Sequence, residues 1–372
     1  MFFVMGLDVP SVRFRVLNYL PYLRDAGMDV LFNVCRPGFY AGPSRFRIRP
    51  VFHVHNVLKA CSRLPGLLEA RTCDVVIVQR ELIPYATAFM ERALSGFDRP
   101  AFVYDWDDAI HLNYPEPDSE RGKVARILSS ADLVLAGNRT LADYAGRFNE
   151  NVEILPTPVD SDPSIDFDGA TRDRILGQRD RFVVGWTGTT GTLKYIRGLE
   201  GALKVLLERN PRVTIRIHCN WEAPGKPPMG FPYEFVRWSA DNEAGTVGSF
   251  DCGLMPLPDD PWTRGKCSLK ILLYQSRGVP AIASPVGNNL QVISDGFTGL
   301  FASTEGEWLD RVESLMRDPE LRLDLARNAH KAFLRSFATD VCAKMLIQGI
   351  NRAVAIRQAK RRAPVSPPIR GK

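Results

Sequence analysis

The sequence predicts an α/β protein in two halves, each built on a parallel sheet. Short apolar runs alternate with helical patterns along the chain, the cue for strands joined by crossover helices. The alternation lapses through VEILPTPVDSDPSIDFDGATRD, rich in Pro, Asp and Ser, and then restarts. The length of 372 residues also exceeds what one hydrophobic core usually organises. The first domain is placed at 1–165 and the second at 170–335. A helix over about 337–357 is expected to return to the first, and a basic tail, 358–372, to be disordered.

In the first half FFVMG and MDVLFNV read as strands on either side of a helix from Arg13 to Ala26, closed by Gly27 at a position that wants positive φ. Within that helix Val16, Leu17, Tyr19, Leu20 and Leu23 give an apolar face, fit for a sheet, a membrane or an acceptor. His53 and His55 are the only close histidine pair, expected on a rim strand. CDVVIVQR, PAFVYDWDD and ADLVLAGN follow as apolar runs with polar ends, and ligands of open α/β sheets gather at such carboxyl ends. The second half repeats the pattern in RFVVGWTG, VTIRIHC, FDCGLMPL, VPAIAS and TGLFAS. A long helical stretch from about Pro319 to Arg357, broken near Ser336, closes it.

Apolar residues at 45% and charged ones at 24% exclude a disordered or fibrous chain. The formal charge of +6 is carried by six cations between Arg357 and Lys372; the remaining 42 Lys and Arg match 42 Asp and Glu. No basic surface is left over for nucleic acid. The tail could touch anionic lipid, a peripheral membrane contact, although a solvated terminus is the plainer reading. Seven scattered cysteines without a CxxC pair make neither a disulfide framework nor a zinc site, and no metal site is expected. MFFVMGLDVP does not read as a secretion signal, and no apolar run approaches the ~18 residues of a spanning helix. A cytoplasmic protein, or one peripheral to the inner face of a membrane, is expected.

The strongest local signal is RGKCSLKILLYQSRGVPAIAS. Leu269, Leu272 and Leu273 share one helix face, with Ser268 as the natural N-cap. Arg264, Gly265, Lys266 and Cys267 precede that start and Lys270 lies in the first turn. Cations oppose the helix dipole there, so their clustering points to a bound anion, and free N–H groups beside a glycine suit a diphosphate. A second turn, Gly188, Thr189, Thr190 and Gly191, joins the strand FVVGW to a helix carrying Lys194 and could cradle phosphate too. A third group, Asp105, Asp107 and Asp108, crowds the end of an apolar strand. These carboxylates could bind substrate hydroxyls, hold a metal or cap a helix.

Taken in order, these motifs resemble family 4 glycosyltransferases, retaining enzymes of the GT-B fold. GWTGTTGTLKYIRGLEGAL, FDCGLMPLPDDPWTRGKCSLKILLYQSRGVPAIASPVGNNLQVISDGFTGLFA and EWLDRVESLMRDPELR resemble the donor half. RFRVLNYLPYLRDAGMDV, VYDWDDAI and SADLVLAGNRTLADYA resemble the acceptor half. The resemblance implies two Rossmann-like domains facing across a cleft. A nucleotide sugar would be held by the second and a saccharide or lipid-linked acceptor by the first, with no cofactor. It implies Lys194 and Lys270 as catalytic cations and Gly188, Thr189, Thr190, Arg264, Gly265, Lys266, Cys267, Ser268 and Leu269 as the donor-binding set.

The chain departs from the family in three places. Thr189 stands where an arginine is usual, with Arg264 as the substitute. The family's two glutamates, seven residues apart, fall near Gly265 and at Leu273, so Asp259 or Asp260 would take over a sugar contact. WDD replaces the usual histidine, which makes Asp107, or Asp108, the stand-in and Asp107 the third catalytic candidate. A nucleotide-sugar epimerase and a non-catalytic glycan- or partner-binding protein are the competing readings. A dinucleotide oxidoreductase comes last, since no strand is followed by G-x-G-x-x-G.

Overall fold

A computed structural model describes residues 1–37, 49–96, 98–115, 118–177 and 180–362, and side chains of the helix beginning at Arg49 from Val54 onward. The chain forms two units, Met1–Thr157 with Cys342–Lys372, and Pro158–Val341.

In the first unit the elements run β1 (Phe2–Val4), α1 (Pro10–Arg15), α2 (Leu20–Asp25), β2 (Phe32–Val34), α3 (Arg49–Glu69), β3 (Val75–Gln79), α4 (Phe89–Arg92), β4 (Ala101–Trp106), α5 (Lys123–Ser130), β5 (Leu133–Ala136), α6 (Arg139–Ala145) and β6 (Val152–Ile154). Six strands pair in parallel in the order β2-β1-β3-β4-β5-β6. β4 is buried at every position, as a central parallel strand must be.

The single helix expected over Arg13–Ala26 is two short ones around a 3₁₀ turn at Leu17–Tyr19. Pro21, which has no N–H to continue a helix, sits in the first turn of α2. Gly27 closes α2 at φ +75°. Val12, Val16, Tyr19 and Leu23 pack in the core with Ile77, Val103 and Leu135, so this face covers the sheet. His53 and His55 lie within α3, not on a strand.

The chain returns to this unit through α16 (Thr339–Arg362), whose Cys342, Ala343, Leu346, Ile350 and Ala353 complete the same core. The expected basic tail therefore begins as helix: Arg357 and Lys360 both pair with buried Asp132, at 2.6 and 2.9 Å, because that carboxylate has no water to solvate it. Residues 363–372 lie outside the described ones.

The second unit runs α7 (Ala170–Leu176), β7 (Phe182–Gly188), α8 (Leu193–Arg197), α9 (Glu200–Arg209), β8 (Val213–Cys219), β9 (Glu234–Arg237), α10 (Ala240–Gly248), β10 (Cys252–Met255), α11 (Pro261–Arg264), α12 (Leu269–Ser276), β11 (Ala281–Ala283), α13 (Asn289–Val292), β12 (Leu300–Phe301), α14 (Glu305–Arg317) and α15 (Pro319–Ser336). Its six parallel strands are ordered β12-β11-β10-β7-β8-β9. Val184, Trp186, Ile215, Ile217 and Leu254 of the sheet pack with Leu203, Trp308 and Leu325 of the helices. β7 is brought close to its neighbours by Gly185, where a Cβ would lie 2.0 Å from the ring of Phe250.

Candidate functional site

In the second sheet the chain order reverses beside β7, with β8 and β9 to one side and β10, β11 and β12 to the other. The carboxyl ends of β7 and β10 therefore form a topological switch point, where open α/β sheets bind ligands. Both phosphate-type motifs emerge there. β7 ends at Gly188 and turns through Thr189 and Thr190 into α8. Thr189 and Thr192 cap each other reciprocally, the Thr189 N–H donating to Thr192 Oγ1 at 3.1 Å. Thr190 N–H donates to Asn220 Oδ1 at 2.9 Å, which ties the turn to the end of β8. A Cβ at Gly188 would meet the Trp186 ring at 2.7 Å, so a glycine is required.

After β10 the chain makes the single turn α11, capped by Asp260 accepting from the Thr263 N–H at 2.8 Å. It then passes Gly265, Lys266 and Cys267 into α12. Gly287, at φ +55°, packs where a Cβ would lie 2.5 Å from the Arg264 carbonyl oxygen, holding this loop from the side. The Tyr274 hydroxyl accepts from the Thr187 N–H and donates to the Leu254 carbonyl, locking α12 onto both strands. Leu269 is half-buried at the helix start.

Ser268 does not cap α12 through its side chain. It takes a left-handed conformation at φ +56°, and its hydroxyl donates to Asn289 Oδ1 at 2.7 Å. Asn289, from the PVGNN run, competes successfully for that hydroxyl. The Ile271 and Leu272 N–H groups donate to the Ser268 carbonyl at 2.9 and 3.3 Å, which leaves those of Leu269 and Lys270 to a ligand or water.

The lysines from the two motifs converge on aromatic rings. Lys194 and Lys266 lie 5.1 and 5.8 Å from the centroid of Tyr195, Lys266 also 5.6 Å from Trp262, and Lys270 5.4 Å from Trp186. These are cation–π distances. Burial lowers the Lys270 ammonium to a pKa of about 7, with the charge of Lys266 adding to the effect. Arg264 is turned elsewhere, into an exposed ion pair with Asp259 at 2.6 Å. Sequence reasoning missed Trp186, Tyr195 and Trp262; Tyr195 and Trp262 lie within four residues of a lysine it had named, a signal that could have found them, whereas Trp186 meets Lys270 only through the fold. It also missed His218, whose Nδ1 meets Thr187 Oγ1 and Nε2 meets Asn242 Oδ1, both at 3.0 Å.

The first sheet has its own reversal, between β1 and β3, and the polar ends of β3 and its neighbour β4 lie to one side of it. All three aspartates of the YDWDD run meet arginine. Asp105 is buried against Arg15, whose Nε lies 2.9 Å from both carboxylate oxygens and whose NH2 closes on Oδ1. Burial opposes the Arg15 charge, but Asp105 outweighs it and raises the guanidinium pKa. Asp107 lies 2.6 Å from Arg80 Nε and 3.2 Å from NH2. Burial pushes its pKa up, yet Arg80 and then Arg15 prevail and hold it below the usual carboxylate range. Asp108 lies 3.5 Å from Arg80 and accepts from the Ala109 N–H at 3.2 Å, ahead of a 3₁₀ turn at Ile110–Asn113.

Arg80 itself stands at φ +65°, a conformation costly for a side chain with a Cβ. The turn that imposes it is fixed from below: Lys123 lies 2.9 Å from Glu81 and donates to the Ile83 carbonyl, and Glu91 accepts from the Leu82 N–H at 3.0 Å. Beside Asp107, Trp106, His111 and Tyr144 form an aromatic cluster with centroids 4.2–5.4 Å apart. Among the described residues no group of three or more His, Cys, Asp or Glu is arranged to hold a metal ion.

No family profile matches the chain, and no curated protein matches it in sequence. Solved structures do match in fold. Sucrose-phosphate synthase of Thermosynechococcus elongatus superposes with a TM-score of 0.68 at 14% identity, over 95% of this chain and 98% of that one. HepE of Anabaena, solved with UDP and glucose, gives 0.65 at 14% over 94% and 98%. A glycosyltransferase of Rickettsia africae gives 0.65 at 11% over 95% and 98%. The fold is that of the GT-B glycosyltransferases.

Proposed function

We propose that this chain is a retaining glycosyltransferase that moves a hexosyl group from a nucleoside-diphosphate sugar to a saccharide or lipid-linked acceptor. Polysaccharide or cell-envelope assembly on the cytoplasmic side of a membrane is its proposed setting. The observation that carries the reading is the gathering of Lys194, Lys266 and Lys270 from two motifs at one switch point. The UDP and glucose in the HepE structure support the ligand class.

In this reading the donor's diphosphate lies against the α12 start and the three lysines. As the bond between anomeric carbon and phosphate oxygen stretches, negative charge grows on that oxygen, and ammonium groups fixed beforehand stabilise it. No divalent metal is needed for that charge. The acceptor hydroxyl enters on the same face and forms the new C–O bond, while its proton passes to the departing phosphate oxygen. Positioning supplies much of the remaining rate. Asp107, kept ionised by Arg80, receives hydroxyl groups of the acceptor or the sugar.

A non-catalytic binding protein is favoured by one observation. The positions of the family's glutamate pair fall near Gly265 and at Leu273, which offer no carboxylate. Thermal unfolding with UDP, GDP and ADP, and with their glucose and mannose derivatives, separates the readings, since ligands of the native state raise its midpoint. A shift with one base, followed by release of that nucleotide when acceptor glycans are added, supports the transferase. A shift without turnover supports the binding protein, and no shift with any diphosphate overturns both.

A further inference from the structure

Three residues other than glycine stand at positive φ among the described ones. One is Ser268 at the start of α12. The other two, Arg80 at +65° and Tyr85 at +60°, bracket a single loop at the carboxyl end of β3. Such backbone persists only where its surroundings over-determine it, and it gathers at functional sites.

What over-determines this loop is largely a set of buried charged side chains. The Leu82 N–H donates to Glu91 at 3.0 Å, and the Leu82 carbonyl accepts from Arg63 Nε at 3.0 Å. The Ile83 carbonyl accepts from Lys123 Nζ, and the Tyr85 N–H donates to the Tyr114 hydroxyl at 2.8 Å. Tyr114 in turn donates to Glu81, and Lys123 lies 2.9 Å from Glu81 and 3.8 Å from Glu91. Burial, then Glu81, raise the pKa of the Tyr114 phenol, which therefore keeps its proton and stays a donor. Glu81, Glu91, Lys123 and Arg63 are all buried. Burying so many charges is a poor route to stability, since desolvation offsets much of the attraction. What it can secure is a shape.

That shape joins two loops. Tyr114 closes the segment that leaves β4 through Asp107 and Asp108. Segments 80–85 and 107–114 are thus tied twice. Tyr114 holds Tyr85 and Glu81 at one point; at the other, Arg80 holds Asp107 at 2.6 Å and Asp108 at 3.5 Å. The two tyrosine rings also lie 6.0 Å apart.

We propose that Tyr114, with Glu81, Glu91 and Lys123, is a positioning group that holds Arg80 against Asp107, making the two loops one preformed seat for sugar hydroxyls. What the seat receives rests on the transferase reading; the hold on Arg80 does not. Asp107 faces Arg80 and Gln79 at the end of β3, Arg15 of α1 and Asp105 on its own strand, and Arg15 is committed to Asp105. Without the tie, Arg80 moves off while burial and Asp105 remain, so the Asp107 carboxyl becomes harder to ionise.

The test titrates the full chain carrying ¹³C in its aspartate carboxyl groups, the Asp107 signal being the one that Asp107→Asn removes. In Tyr114→Phe the midpoint of that signal should rise by about one pH unit or more. The acid limb of the transfer rate should rise with it, while the thermal shift given by nucleoside diphosphates is unchanged. Glu81→Gln keeps an acceptor for Tyr114 but strips the ion pair with Lys123, and it serves where Tyr114→Phe does not fold. It should raise the midpoint too, although loss of a negative charge by itself would lower it. Arg357→Met breaks the buried pair with Asp132 elsewhere in the unit, and should lower the melting temperature with Asp107 unmoved. Arg80→Met combined with Tyr114→Phe should titrate as Arg80→Met alone, because Tyr114 acts through Arg80. An unchanged Asp107 midpoint in Tyr114→Phe and Glu81→Gln overturns the proposal, as does a shift that adds to that of Arg80→Met. A shifted midpoint with an unmoved acid limb overturns the role in transfer. A chain that transfers no sugar yet shows the shift fails the transferase reading and keeps the hold on Arg80.

Discussion

Arg80 reaches Asp107 from a backbone that it occupies at positive φ, and the two side chains lie 2.6 Å apart, at the ends of adjacent parallel strands. The carboxylate is thus presented as an anion in a fixed orientation. Strain held in place by a buried Lys123–Glu81 contact marks this as a positioned group rather than a fortuitous surface pair.

Asp107→Asn keeps the shape and removes the charge. Turnover is expected to fall about a hundredfold or more if the anion binds the reacting sugars. Stability should fall by about 1–3 kcal/mol as Arg80 loses a charged acceptor. The native pKa of Asp107 is depressed, so its contribution is complete above the ordinary carboxylate range and is lost as pH falls through the native value. Acid unfolding of the variant should therefore begin from a lower baseline and fall less steeply. Full activity in Asp107→Asn removes this residue from the site.

Asp105 is expected to behave differently. Its pair with Arg15 is buried, so Asp105→Asn or Arg15→Met should cost about 3–5 kcal/mol in chemical denaturation. At temperatures where the variants remain folded, donor affinity should be unchanged. A selective loss of donor binding would contradict this.

Lys270→Met should cut turnover about a hundredfold or more while leaving the protein as stable or more so. The native pKa, about 7, lies below that of a free lysine, so stability gained from its deprotonation grows from pH 7 upward toward the free value. Methionine removes that slope. Parallel melting curves across pH and initial rates check both halves.

Donor affinity should itself depend on pH. A diphosphate prefers charged Lys270, so binding should weaken as pH rises past about 7 and should take up a proton near pH 7.5. Calorimetry in buffers of different ionisation heat measures the uptake. An affinity independent of pH from 6 to 8.5, by about the width of one such titration, separates Lys270 from the diphosphate.

Transfer should also survive a chelator. In the proposed reading the lysines gathered at the switch point would provide the charge that a divalent ion otherwise supplies. Loss of activity in chelator, with recovery on Mg²⁺ or Mn²⁺, would assign the Asp107 region to a metal.

The parallel strands were legible in the sequence because burial on both faces leaves unbroken apolar runs, as in AFVYDW. The break between α15 and α16 was legible at Ser336 for the same periodic reasons. α3 was not: with Lys59 and Arg63 inside and leucines outside, its pattern contradicts the usual rule of which side faces water. The edge strand β9 was also unseen, being only half-buried and carrying Glu234 and Arg237. In the candidate site the lysines were named from their local conflict with a helix dipole. Their aromatic neighbours, and the reach of Arg80 to Asp107, depend on pairings of distant segments that no local spacing records.

The return of α16 has a consequence for synthesis. The first unit's core includes Cys342, Leu346 and Ile350, so a nascent chain that has emerged as far as Thr157 still presents an uncovered apolar sheet face. Asp132 likewise waits for Arg357 and Lys360. Vectorial folding, N-terminal domain first, is therefore interrupted here. The second unit, contiguous from Pro158 to Val341, leaves the ribosome ahead of the helix that completes the first, and a chain truncated ahead of residue 342 would leave a species that chaperones must hold.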